Sequence, residues 1–548
     1  MMALPATGAE SRPDGADEPV PGSGYCSGAM QPFSGVSGRR GWNGWGVTPD
    51  NARFQAVDAG LNADNVSRLR LKWAFGFAGM TLADSQPAIS HGILFIGSQS
   101  GAVYALDARA GCIRWVFKAR AAVRTGFAIG PAPSGGKGSM LIYFGDQRGA
   151  VYALDARSGQ LRWRMQADAH PATMITGTPQ LWEGRLFVPV ASYEENFAPD
   201  PRYQCCTFRG SVAAYEATTG RLIWKTHTIS ARPRMTHQSK AGTQLWGPSG
   251  AAVWSAPTLD PQKGVLYVGT GNNYSDPITA SSDAIVAMSM VTGKILWIRQ
   301  LTSGDAYNGS CEDFLDATHS NCPPDRGSDF DFGAPPILST DRNGHRFLVA
   351  AQKSGFVYGL DPSTAGTVLW RTRVAKGGPL GGIEWGAASD GENVYIAVSD
   401  CDWKTFERRI GGKVESYVDM DPEKGGGLSA IRVNDGSKLW DSATPRTCGS
   451  REHCSPAQLA PVTAIPGVVF SGSLDGHLRA YSSRSGDVLW DYDTSRDFST
   501  VNGVAAHGGS LNGAGATVVD GMVYVNSGYS LFGEAPGNVL LAFSAEGN

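Results

Sequence analysis

The sequence predicts an all-β fold, an eight-bladed β-propeller, and three observations predict it. A phrase made of an alternating strand, a tight Gly turn and a second strand closing on Trp recurs seven times. An eighth copy is split between the two ends of the chain. Gly is abundant, 71 of 548 residues, as a chain with many tight turns requires.

The elements follow in chain order. GAVYALDARAGCIRW ends at Trp115 and GAVYALDARSGQLRW at Trp163. GSVAAYEATTGRLIW ends at Trp224 and DAIVAMSMVTGKILW at Trp297. GFVYGLDPSTAGTVLW, GGLSAIRVNDGSKLW and GHLRAYSSRSGDVLW end at Trp370, Trp440 and Trp490. The C-terminal GNVLLAFSAEGN is the first half of the phrase, and LRLKWAF around Trp73 supplies the second half. The N-terminal strand is therefore expected to complete the blade that the C-terminal strands begin, which ties the ring shut and leaves only short sheet edges. A Trp at one fixed place per blade can fill the gap to the next blade. Residues 1–40 are rich in Gly, Pro and Ser and are expected to form a flexible arm, with the propeller over 41–548.

Composition narrows the function. The formal net charge is −3 and no basic patch stands out, so nucleic acid is not an expected partner. No run of about 18 apolar residues occurs, so no membrane-spanning segment is expected. There is no CxxCH, so no haem is expected on this chain. Of the nine Cys, Cys311 with Cys322 and Cys448 with Cys454 lie close together in loops. Pairing of these would point to an oxidising compartment, periplasmic or secreted, although no signal peptide is visible. Free loop thiols are the alternative.

Four loop segments could carry chemistry. Cys205 and Cys206 are adjacent, where a disulfide closes only a strained ring. SYEENFA places Glu194 and Glu195 just before them. LYVGTGNNYSD puts Asn272 at a strand end, and GSDFDFGAPPIL places Asp329 and Asp331 two apart, on one face of a strand. Hard oxygen donors of this kind suit Ca²⁺, which takes 6–8 of them. Each segment alone reads as solvated loop; together they suggest a metal site at the ring axis.

These phrases, with WNGWGVTPDNARFQ, GGIEWG and VNGVAAHGG, resemble the pyrroloquinoline quinone (PQQ) dependent alcohol dehydrogenases from about Trp42 onward. In particular they resemble the branch of that family acting on polyvinyl alcohol. The resemblance implies an eight-bladed quinoprotein that oxidises an alcohol with PQQ and Ca²⁺, or a rare-earth ion. It implies a separate cytochrome c or other electron acceptor. It assigns Arg148, Thr176, Trp254, Lys353, Glu384 and Asn502 to the cofactor, with Cys205–Cys206 as a plate opposite Trp254. It assigns Asn272 and either Glu194 or Glu195 to the metal, and Asp329 to the metal and to the role of base. Asp331 stands where rare-earth-dependent members carry an extra carboxylate, with a structural Asp as the alternative. Two departures matter. The Cys pair sits one blade later than in methanol dehydrogenases, and an insertion from Gly304 to Asp325 blurs the alignment around Asp305. Two rival functions stay open: a PQQ dehydrogenase for a small alcohol, sugar alcohol or natural product, and a non-enzymatic propeller scaffold.

Overall fold

A computed structural model describes residues 22–28, 41–132, 139–313, 315–410 and 413–546. Eight four-stranded antiparallel sheets form the ring. Blade 1 runs Ala88–Ser90, Ile93–Gly97, Ala102–Asp107 and Ile113–Lys118, with Gly41–Trp42 added at its first strand. Blades 2 to 7 end on the strands holding Trp163, Trp224, Trp297, Trp370, Trp440 and Trp490. Blade 8 takes Thr517–Val519, Met522–Ser527 and Val539–Ser544 from the C-terminal end, and Arg70–Gly76 from the N-terminal end. Trp73 pairs with Ala542, so the split phrase closes the ring as expected. First strands of successive blades touch each other, which places them around the axis.

The phrase has a physical explanation. Across the sheet each closing Trp faces a small residue: Ala105, Ala153, Ala214, Ala287, Gly359, Ala430, Ala480 and Ala542 in turn. The ladder shifts register beside each of these pairs, a bulge that re-aims the indole toward the next blade. There it covers the Gly of the neighbour's turn. A Cβ on Gly111 would lie 2.7 Å from Trp73, and one on Gly436 2.5 Å from Trp370. Both Gly also have positive φ, so two independent reasons exclude a side chain. The indole nitrogen then donates to a carbonyl of the next blade, for example Trp163 Nε1 to Ala217 O at 2.8 Å and Trp490 Nε1 to Leu69 O at 3.2 Å. Seven of the eight closing Trp fasten their blade to the next by apolar contact and one indole hydrogen bond; Trp297 does so by packing.

Four disulfides form. Cys311–Cys322 and Cys448–Cys454 pair as the loops suggested, Cys205 pairs with Cys206, and Cys26 pairs with Cys112 across 86 residues. The last bond was not legible in the sequence. It holds residues 22–28 against blade 1, where Tyr25 bridges Ile113, so this part of the expected arm is anchored. Residues 1–21 and 29–40 lie outside the described residues.

Candidate active site

In an antiparallel blade whose first strand lies at the axis, two kinds of connection leave the same end of the ring. One joins a blade's second strand to its third. The other joins its fourth strand to the first strand of the next blade. Every residue singled out for chemistry lies on one of these, so all belong to one face of the ring. That face is the candidate site.

Trp254 is its floor, on the connection from blade 3 to blade 4. The ring stands perpendicular to Trp385, with centroids 5.4 Å apart. Gly333 makes room for it, since a Cβ there would fall 2.1 Å from the indole. Thr176 donates its hydroxyl to the Trp254 carbonyl at 3.0 Å. Trp254 Nε1 donates to Asp331 Oδ2 at 3.0 Å, and the Asn272 amide donates to Asp331 Oδ1 at 2.7 Å. Lys353 Nζ lies 3.2 Å from Asp329 and 3.6 Å from Asp331, with its ammonium 5.5 Å from the Trp254 ring centre. Asp331 is therefore committed on both oxygens and orients Trp254, Asn272 and Lys353 together.

Asp329 has a left-handed backbone, φ 55°. Asp305 holds it there by accepting from the amides of Asp329 and Phe330 at 3.1 and 2.8 Å. This uses both Asp305 oxygens and separates its role from that of Asp329. Burial drives the Asp329 carboxyl well above the usual carboxylate range. Lys353 opposes the rise, and Asp331, Glu195 and Glu384 add to it. Burial alone would lower the Lys353 ammonium, but these four carboxylates hold it well above its ordinary value.

The two adjacent glutamates of the Glu194–Phe197 turn separate cleanly. Glu194 is fully buried and accepts from Tyr203 Oη and from the Thr207 and Phe208 amides, at 2.7–3.0 Å, which pins the loop carrying Cys205 and Cys206. Glu195 faces the other way electrostatically: burial and then Asp331 push its carboxyl up to about 8, with Lys353 opposing. Asn272 spends its amide nitrogen on the Asn273 and Tyr307 carbonyls, which fixes its amide oxygen on the other side. Glu195, Asn272 and Asp329 are thus the donors left to hold a hard cation. Among the described residues no three acidic, His or Cys side chains form a finished metal shell, and Lys353 occupies the space between Asp329 and Asp331. The donor chemistry fits a hard cation; the closed shell requires the Glu195 and Asp329 carboxylates to converge on it.

Three sequence assignments do not come to this cavity. Arg148 is exposed on the blade 2 turn, its amide tied to Asp146, and the guanidinium lining the cavity is that of Arg124, 4.2 Å over the Trp385 ring. Asn502 exchanges hydrogen bonds with the Gly76 backbone at 3.0 and 2.8 Å, a strut on the outer strand of blade 8. Cys205–Cys206 is bonded and fully buried in an apolar cluster with Phe208, Leu245 and Tyr274, against which Trp254 also packs, and is not among the residues lining the small cavity itself. Glu384 does lie close by. It is buried with one oxygen unpartnered, and burial lifts it to about 7, with Lys353 opposing. Sequence reasoning missed Arg124, Asp84 and Trp385, all on blade-to-blade connections lining the cavity.

The cavity offers a flat aromatic floor, a guanidinium and an unpartnered carboxyl. The cavity is small, about 20 Å³, so its aromatic face and guanidinium suit a planar, carboxylate-bearing ring once the side chains around them part. Comparison with known proteins agrees. Residues 42–310 match the family model described as glucose/ethanol/alcohol dehydrogenase, beta-propeller domain, of the PQQ type. Residues 347–531 match the repeat described as outer membrane protein assembly factor BamB. The chain is 42% identical to the polyvinylalcohol dehydrogenase of a Pseudomonas species, over 98% of this chain and 81% of that protein. It is 38% identical to the polyvinylalcohol dehydrogenase of Sphingopyxis sp. strain 113P3, over 95% of this chain and 79% of that protein. In structure it resembles the quinohemoprotein alcohol dehydrogenase of Comamonas testosteroni, with TM-score 0.65 at 20% identity, covering 94% of this chain and 82% of that one. An enzyme of the PQQ-dependent quinoprotein alcohol dehydrogenases, this chain belongs to that family beside the polyvinyl alcohol dehydrogenases.

Proposed function

We propose that this enzyme oxidises secondary alcohol groups of a polyvinyl-alcohol-like substrate to ketones, using PQQ and a hard cation, Ca²⁺ or a rare-earth ion. A separate cytochrome c or other carrier takes the electrons. The observation that carries the reading is the buried Asp329–Lys353–Asp331 group beside Trp254. The four disulfides support a periplasmic or secreted setting.

PQQ, when bound with its cation, supplies the electrophilic carbonyl that accepts a hydride. The chain's own residues do the rest. Trp254 offers the flat face on which a planar ring rests, and Asp331 fixes the angle of that face through the indole N–H. Arg124 offers two donors to a carboxylate, and Thr176 a hydroxyl. Asp329 accepts the proton from the alcohol O–H as the carbinol hydride leaves, so one C=O forms while one O–H and one C–H break. Its raised affinity for protons suits a base, and Lys353 opposes that rise. Asp305 holds the Asp329 backbone in place, so the carboxylate does not have to be ordered during reaction.

The test is a panel of polyvinyl alcohol, secondary and primary alcohols with a dye acceptor, with and without PQQ and Ca²⁺ or La³⁺. Oxidation that requires both additions and disappears in Asp329→Ala, while PQQ absorbance still titrates into that variant, is the expected outcome. Oxidation independent of PQQ, or full activity in Asp329→Ala, defeats the assignment.

A further inference from the structure

A second cavity lies apart from the one beside Trp254. It measures about 280 Å³ and opens on the same face of the ring. Its walls are the Cys448–Cys454 loop between blades 6 and 7, the turn inside blade 7, and the connection from blade 7 to blade 8. Arg451, Glu452, His453 and His507 bring polar groups to it, and Leu474 with Ala535 supplies an apolar side; the Asp475 carboxylate beneath is spent on Arg479, Thr447, Ser473 and the His477 amide. None of these residues has a part in the chemistry above.

Two contacts join this cavity to the cofactor side. Leu474 packs in the same apolar cluster as Trp385 and Tyr529, against which Trp254 also rests. Ala535 follows Glu534, which accepts from Asn512 at 3.1 Å, and Asn512 in turn accepts from the Trp385 indole. His453 Nδ1 meets the Gly533 carbonyl at 2.8 Å, so the two loops that form the wall are fastened to each other. The cavity is therefore a fixed chamber one side chain away from the reaction cavity, not a gap between loose loops.

We propose that this chamber is a distal subsite for a chain-like polyol, holding repeat units of the substrate that are not being oxidised. The proposal rests on the reading of the enzyme as an oxidant of secondary alcohols. The chemistry matches. A chain of alternating CH₂ and CHOH units presents hydroxyls that both donate and accept, separated by short apolar links. The chamber answers with the Nε2 atoms of His453 and His507, the Glu452 carboxylate and the Arg451 guanidinium, and with Leu474 and Ala535 for the carbon chain. Its volume is near the lower end of small-ligand sites, enough for a short stretch of chain. Binding energy gained there is remote from the reacting carbon, so it would favour long substrates over short ones.

His507 is the residue to vary, since it is exposed, lines the chamber and stands apart from the catalytic group. The holoenzymes of wild type, His507→Ala and His507→Trp are compared on polyvinyl alcohol of defined length and on 2,4-pentanediol. Binding of the same polymer to the apoproteins is measured by calorimetry. His507→Trp, which fills the chamber, is expected to raise the polymer KM and Kd about tenfold, a loss of about 1.4 kcal/mol, while KM for the short diol stays within about twofold. His507→Ala should move the polymer values in the same direction by less. Equal losses for polymer and diol, or no loss for either, overturn the subsite. Wild type that oxidises the diol without preferring the polymer overturns the subsite and leaves the alcohol-oxidising reading intact. Wild type that oxidises neither overturns both.

Discussion

Replacing Lys353 by Met in the metal-free apoprotein tests the electrostatics of the site without reference to turnover. The lysine stands 3.2 Å from Asp329 and 3.6 Å from Asp331, and all three groups are buried. At an effective dielectric near 20, a pair at the shorter distance is worth about 5 kcal/mol. The cost of desolvating the ammonium offsets part of that, but removing one partner leaves buried carboxylates without a counter-charge, a loss of about 3–5 kcal/mol. If the ring unfolds as one unit, an unfolding entropy of about 2.1 cal/mol/K per residue makes this a drop of about 3–4 °C in the midpoint. The sign with pH is fixed. Asp329 has a folded-state pKa raised above its unfolded value, and more so without Lys353. An upward shift in a carboxyl destabilises above the folded pKa, and the penalty fades as pH falls toward the unfolded value. The variant should therefore lose most at pH 8 and least near pH 4. Calorimetric scans of wild type and Lys353→Met across that range decide it. An unchanged midpoint at pH 8, or a larger drop at low pH, refutes the ion-pair argument.

Three further outcomes are expected. Glu384→Gln removes a buried carboxyl whose pKa is raised to about 7, so it should stabilise the apoprotein at pH 8 and give no gain below the ordinary carboxylate range, read by denaturant titration at both pH values. Gly436→Ala places a methyl 2.5 Å from Trp370 and forces a left-handed Ala at φ 68°; it should destabilise by more than the ~1–2 kcal/mol of the backbone alone and shift tryptophan fluorescence. Cys26→Ser opens an 86-residue loop, and loop-closure entropy sets an upper bound of about 4–5 kcal/mol on the loss, measured by unfolding under non-reducing conditions.

The fold was legible because its signal is repeated. Alternation, a Gly turn and Trp at one place can be checked seven times against each other, and the split copy at the ends fixes the count. Trp254, Thr176 and Lys353 were legible only through the family resemblance, and Asp329 and Asp331 also through their spacing two apart; the structure brings these residues close together. Arg124 was not, because AAVRTGF carries neither strand alternation nor acidic neighbours, while Arg148 drew attention through the family resemblance of its repeat turn. The choice between Glu194 and Glu195 needed three dimensions, since only the folded loop shows two amides and a phenol spending the first of them. The Cys205–Cys206 bond follows from covalent proximity, but its depth in the core depends on how the inserted loops lie over it. Cys26 has no local partner, so its bond to Cys112 is a purely tertiary fact.

The closing of blade 8 sets an order in time. Arg70–Gly76 is the outermost strand of that blade, and its sole sheet partner is Val539–Ser544. As the chain emerges, Trp73 and Phe75 leave the ribosome early and must wait for nearly the whole ring before they are covered. Through that interval the nascent protein carries an unsatisfied, apolar strand that any other open edge can capture. Loss of Val539–Ser544 would not yield a slightly weaker ring but an open arc whose two raw ends seek each other or a neighbour. Quality control in the cell therefore has one late checkpoint to read, and cleavage between the last two strands of blade 8 should be far more damaging than the same cut between any two blades.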